Sequence, residues 1–148
     1  MIVIGSDHGG LDLKEALTGF LTARNLQITN VGTDNGDSVD YPHFGLKVAE
    51  MVAAGLAECG ILVCGTGIGM SIVANKVPGI RAALVTDEFM ARMAKEHNNA
   101  NILVLGGRVL DAQQACGIVS AWLDASFEGG RHQGRLNQIT EIEQKYCK

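Results

Sequence analysis

The sequence lacks a strong charge, a long apolar run and any paired-cysteine motif, and each absence removes a class of function. A formal net charge of -4 makes no basic field for nucleic acid or anionic lipid, so an anionic ligand must be held by local arginines. The longest apolar-looking stretch, 61–74, is interrupted by Gly65, Thr66, Gly67 and Gly69 and is too short to cross a bilayer. The start, Met1-Ile2-Val3-Ile4 followed by Ser6-Asp7-His8, has neither the basic lead nor the long apolar region of a secretory signal, so a soluble cytoplasmic protein is expected. Cys59, Cys64, Cys116 and Cys147 form no C-x-x-C pair, which argues against a zinc knuckle or thioredoxin-like site and for reduced thiols. With 2 prolines, 19% charged and 47% hydrophobic residues, the chain reads as neither disordered nor fibrous. Its 148 residues suit one domain, 1–148, able to bury its own core without a staple.

What is present is an alternation of two periods. Short apolar runs of strand type fall at 2–4, 26–31, 61–63, 80–85 and 102–105, and helical spacing recurs at 11–23, 44–56, 70–75, 88–95, 112–125 and 137–146. Runs apolar on both faces need helices on both sides, and right-handed crossovers then make the sheet mostly parallel. The expected fold is a three-layer α/β/α sandwich around a five-stranded sheet. Such sheets bind ligands beyond the C-terminal ends of their strands. That rule selects the loops Ser6-Asp7-His8-Gly9-Gly10, Cys64-Gly65-Thr66-Gly67-Ile68-Gly69 and Gly106-Gly107-Arg108.

In Gly65-Thr66-Gly67-Ile68-Gly69, alternate glycines between a strand and a helix let successive N–H groups face one concavity and bind negative charge. The dinucleotide fingerprint fails, because it needs a small residue at Met70 and belongs on the first strand, and no P-loop Lys-Ser/Thr follows any of the glycines. Cys64 immediately precedes this nest, so its thiolate is favoured by aligned backbone dipoles; the alternative is a small buried hydrophobe. Cys59, at the far end of the same strand, defaults to structure. Asp7 and His8 reach the same sheet edge, although either could cap the helix that follows. His97 ends a helix, where a cap or surface role is also common. Arg131 and Arg135 lie one helical turn apart and can converge on one phosphate, or stand as a solvated pair.

Taken in order, Ser6-Asp7-His8-Gly9-Gly10, Asp40-Tyr41-Pro42, the run Cys64 to Ser71, Ala74-Asn75-Lys76, Gly79-Ile80-Arg81-Ala82, His97-Asn98-Asn99-Ala100-Asn101, Gly107-Arg108 and the run Glu128 to His132 resemble the ribose-5-phosphate isomerase B family, across essentially the whole chain. The resemblance implies a Rossmann-like sandwich and a cofactor-free, metal-free aldose–ketose isomerase. Ribose 5-phosphate and ribulose 5-phosphate are the first expectation; a tetrose phosphate, allose 6-phosphate or galactose 6-phosphate are the alternatives. It implies Cys64 as the base that works through a cis-enediolate, with Thr66 beside it. Donors from Gly65, Gly67, Ile68, Gly69 and Met70 would hold the enediolate oxygens. His97 and Asp7 would open the sugar ring. Arg131, Arg135 and His8 would hold the phosphate, and Tyr41, Asn98 and Arg108 would contact the sugar or support the site. Some relatives carry a glutamate base where this chain has Met70, and methionine cannot take the proton. The family shares its sites between subunits, which implies a homodimer, or a tetramer built on it, with His97, Asn98 and Arg108 supplied by the neighbouring chain. A silent sugar-phosphate-binding subunit would not need base, ring-opening histidine and phosphate arginines together, and all are present.

Overall fold

The structure, a computed structural model, describes residues 1–147. The elements run β1 (Ile2–Ser6), a 3-10 turn (His8–Gly10), α1 (Leu11–Ala23), β2 (Ile28–Asn30), α2 (Tyr41–Ala53), β3 (Cys59–Cys64), α3 (Ile68–Ala74), β4 (Ala82–Leu84), α4 (Glu88–Glu96), β5 (Ile102–Gly106), α5 (Ala112–Asp124) and α6 (Arg131–Tyr146). Every strand pairing is parallel, in the order β2-β1-β3-β5-β4. The expected Rossmann-like sandwich is therefore the observed one.

Strand alternation divides the core in two. Ile2, Ile4, Ile61, Val63, Leu103 and Leu105 face α1, α4 and α5, which contribute Leu17, Leu21, Ala91, Ile118 and Trp122. Val3, Leu62, Cys64, Ile102 and Val104 face α2 and α3, which contribute Val48, Ala49, Met70 and Ala74. A two-residue side-chain period makes this division inevitable once both faces are covered.

The differences from the expected boundaries have local causes. β2 and β4 are shorter than expected because they are the edge strands, paired on one side only. At the free side of β4, Asn75 substitutes for a missing strand: its side chain donates to the Ala82 carbonyl at 3.0 Å and accepts from the Ala82 N–H at 2.9 Å. α2 starts earlier, at Tyr41, since Pro42 is tolerated in a first turn. α6 starts at Arg131, directly after Gly129 and Gly130 with φ of 69° and 55°, a left-handed approach that favours glycine.

Candidate active site

The chain leaves β1 to form β2 on one side and returns to form β3 on the other. That reversal opens a crevice above β1 and β3. Because β5, rather than β4, lies beside β3, its loop joins the crevice as well. The Gly107 N–H reaches the Cys64 carbonyl at 2.8 Å, and the Arg108 N–H reaches the Gly65 carbonyl at 2.9 Å.

Cys64 ends β3 with 5% of its surface exposed. The Gly67 N–H donates to its Sγ at 3.2 Å, an interaction that strengthens when sulfur carries negative charge. Gly67 can make it because φ of 83° turns the chain from strand to helix, a conformation costly for other residues. The Ile68 N–H is turned to Thr66 Oγ1 at 3.2 Å. Among the described residues the Gly69 and Met70 N–H groups, like those of Gly65 and Thr66, have no acceptor, so the loop and first helical turn that follow the thiol carry free donors. The Met70 side chain points the other way: it is fully buried between α2 and α3, where a methyl group added to Gly45 would stand 2.9 Å from its sulfur.

The surrounding side chains converge as the sequence suggests. Asp7 caps the 3-10 turn through Oδ1 to the Gly10 N–H at 3.2 Å. A Cβ built on Gly9 would lie 3.4 Å from that oxygen and 3.2 Å from the Gly65 nitrogen, so the Asp7 carboxylate is both a cap and a wall of the crevice. His8 accepts the Val39 N–H on Nδ1 at 3.1 Å; the neutral ring then carries its proton on Nε2. The Tyr41 ring lies over Gly69, where a Cβ would stand 2.6 Å from two ring carbons. Arg108 lies on its own chain's Cys64 loop, with Nη1 3.2 Å from where a Gly65 Cβ would be, a place that follows from the strand order.

The remaining expected residues are elsewhere. α4 runs from the C-terminal end of β4 back to the start of β5, so His97 and Asn98 lie at the opposite sheet edge from Cys64. From the Gly60–Ile102 pair to the Cys64–Gly106 pair, roughly 13 Å of strand intervenes. Arg131 and Arg135 are on the His97 side too. His132 stacks on His97 with ring centroids 4.1 Å apart and planes 14° from parallel. Its Nε2 lies 3.5 Å from a Glu128 oxygen, and the Glu128 N–H reaches the Glu96 carbonyl at 3.0 Å. Neither arginine forms an ion pair among the described residues. The donor atoms of His97, Glu128 and His132 lie within 4.8 Å of one another. Nearly parallel rings, however, cannot aim in-plane lone pairs at one ion unless a ring turns.

Sequence reasoning assigned no role to His132, Glu128 or Lys14. His132 was visible only as a neighbour of Arg131. Lys14 had a signal, a lysine beside Leu13 and three residues before Leu17 on the buried side of α1. For Cys59 the structural default stands: burial pushes its thiol up, against an opposing pull from nearby Lys95. A cavity of about 440 Å³ lies away from Cys64, lined by Asn75, Ile80, Ala82, Asn98, Leu136 and Ile139 among others.

The comparisons with known proteins agree in kind. A family model described as Ribose/Galactose Isomerase matches residues 2–139. The solved ribose-5-phosphate isomerase B of Clostridium thermocellum superposes with a TM-score of 0.97 at 56% identity, over 98% of each chain. The ribose-5-phosphate isomerase B of Escherichia coli is 44% identical over 97% of each chain. A D-erythrulose-4-phosphate isomerase of Pectobacterium atrosepticum is 43% identical over 96% of this chain and 94% of its own.

Proposed function

Since the chain belongs to the ribose/galactose isomerase family and is an aldose–ketose isomerase of sugar phosphates, we propose that it interconverts ribose 5-phosphate and ribulose 5-phosphate. The observation that carries the mechanism is the Cys64 sulfur, which receives the Gly67 N–H at 3.2 Å beside N–H groups without acceptors. An ordinary thiol is only slightly ionised at neutral pH, so such donors matter to rate.

In this reading Asp7 and His97 open the furanose. The Cys64 thiolate then takes the hydrogen on C2 as a proton, the C2–H electron pair forms the C1–C2 double bond, and O1 takes up the negative charge. The Gly69 and Met70 N–H groups oppose that charge, with Thr66 beside the base. Passing the O2 proton to O1 and returning the carbon-bound proton to C1 leaves the carbonyl at C2. Arg131, Arg135 and His8 take the phosphate, and Tyr41, Asn98 and Arg108 the sugar hydroxyls.

One copy does not bring these groups onto one substrate, because His97, Asn98, Arg131 and Arg135 lie at the other sheet edge. The proposed unit is a homodimer in which the Cys64 edge of each chain meets the His97 edge of its partner, with residues 1–148 as one domain. α6 supports this reading: it buries only His132 and Leu136 and leaves Ile139, Ile142 and Tyr146 at 50%, 59% and 72% exposure, an apolar face that a second copy would cover.

The Pectobacterium relative favours one second reading, the same chemistry on a tetrose phosphate. A panel of aldose and ketose phosphates, assayed with and without EDTA, tests all of this. The expected result is the highest kcat/KM on ribose 5-phosphate with no loss on chelation. A higher value on D-erythrulose 4-phosphate would transfer the assignment to the tetrose. Binding without turnover of any member would leave only a binding subunit.

A further inference from the structure

The side chain of Lys14 is fully buried and has no part in the chemistry above. It stands on α1 among Leu13, Leu17 and Leu21, where an ammonium persists only if its protons find acceptors. All three do. Nζ donates to Asn30 Oδ1 at 3.0 Å, to Asp34 Oδ1 at 3.1 Å and to the Thr33 carbonyl. Every acceptor belongs to the segment between β2 and α2 or to the last residue of β2.

Apart from Lys14, the segment is tied to β1 by the Val31 N–H on the Ile4 carbonyl at 2.9 Å and to itself by Thr33 Oγ1 on the Asn35 carbonyl and the Asp37 N–H on Asn35 Oδ1. Asn30 Nδ2 reaches Asp34 Oδ1 at 2.9 Å, the Gly32 N–H reaches Asn30 Oδ1 at 3.0 Å, and the Thr33 N–H reaches the Ser6 carbonyl at 3.2 Å. The Asn30 and Gly32 bonds share acceptor atoms with Lys14, so the ammonium is the hub of the network. Beyond it the same segment delivers the Val39 N–H to His8 Nδ1 and leads into Tyr41, whose ring covers Gly69. The hydrogen bond to Lys14 is also the first cause that holds the Asp34 carboxyl below its ordinary range.

We propose that Lys14 is a positioning residue for substrate recognition: by clamping residues 30–34 it holds Val39 against His8, which keeps the His8 ring in the Nε2–H form with that donor free for a phosphate oxygen. The proposal rests on the reading of His8 as a phosphate contact. Lys14 acts through His8 and Tyr41 and touches no substrate. Packing alone would not require a charge there, since a methionine fills nearly the same space without donors.

The test compares the wild type with Lys14→Met and with Asp34→Ala, whose exposed position leaves the core intact. Two measurements are independent of turnover: hydrogen exchange at the Val39 amide, and the 15N shifts of His8 that report its tautomer. In Lys14→Met, Val39 protection is expected to fall at least about tenfold and His8 to become a tautomer mixture. The KM for ribose 5-phosphate is expected to rise about tenfold, with kcat within about twofold, because the Cys64 loop is carried by β3. Asp34→Ala is expected to move the same readouts by smaller factors, and it decides the matter if Lys14→Met does not fold. Unchanged Val39 exchange and His8 tautomer in a folded variant would overturn the proposal, as would a fall in kcat at constant KM. If the wild type turned over no phosphorylated aldose, the functional reading would fail, while the exchange and tautomer measurements would still decide whether Lys14 clamps the segment.

Discussion

At the residue scale the chain's thiols differ in what surrounds them. Cys64 has an N–H aimed at its sulfur, whereas Cys59 and Cys116 are pushed up by burial. Cys64→Ala removes the proposed base and leaves the other contacts, so turnover is expected to fall at least about a thousandfold with the substrate Kd within a few-fold. Steady-state kinetics with equilibrium binding of ribulose 5-phosphate checks this, and near-wild-type kcat would refute the mechanism. Asp34 supplies a second prediction, on stability. Its folded carboxyl titrates below its unfolded value because of Lys14 and Asn30, so its contribution is complete above the ordinary aspartate range and is lost as pH falls through the lower, folded value. The Tm gap between the wild type and Asp34→Asn should therefore be steady near neutrality and narrow below about pH 4. A gap that widens on acidification would contradict the ion pair.

At the element scale, glycines that look alike in the sequence have opposite roles. Gly10 lies where a Cβ would stand 2.7 Å from the Val63 carbonyl carbon and oxygen, because the turn after β1 presses directly on β3. That backbone cannot yield cheaply, and Gly10→Ala is expected to destabilise by at least about 2 kcal/mol. Gly19 is an exposed interior residue of α1, and a methyl group placed on it would meet nothing within 4 Å. Gly19→Ala is expected to stabilise by about 0.5–1 kcal/mol by restricting the unfolded chain. Urea unfolding of both variants measures the contrast, which would fail if the two shifts had the same sign. The asparagines of the sequence motifs divide in the same way. Asn75 and Asn101 tie down the start of β4, and Asn99, with φ of 45°, ends α4 in a left-handed turn that asparagine tolerates. Only Asn98 of these has no such bond among the described residues, and it is the one proposed to contact substrate.

At the scale of the whole molecule, the separation of Cys64 from His97 makes the proposed shared site testable by mixing. Cys64→Ala and His97→Asn should each be nearly inactive. Co-refolded in equal amounts, they should recover up to about a quarter of wild-type activity, since half of the dimers are mixed and each mixed dimer has one intact site. Recovery near zero in verified mixed dimers would mean that both residues serve one chain's own site.

Much of this was legible in the sequence, because periodicity, turn residues and glycine spacing are local. The boundaries of α1, the parallel α/β class, the three loops of the crevice, and Cys64 beside its nest all follow from residues near one another in the chain. Which loops meet depends on strand order, and strand order depends on how remote segments pack. The position of β5 beside β3 brought Arg108 onto the Cys64 loop of its own chain. The return path of α4 carried His97 to the far edge, and with it Arg131 and Arg135. Lys14 reads in the sequence as a charge on an apolar stripe; only the fold supplies the carbonyl and side-chain oxygens of residues 30–34 that make its burial possible.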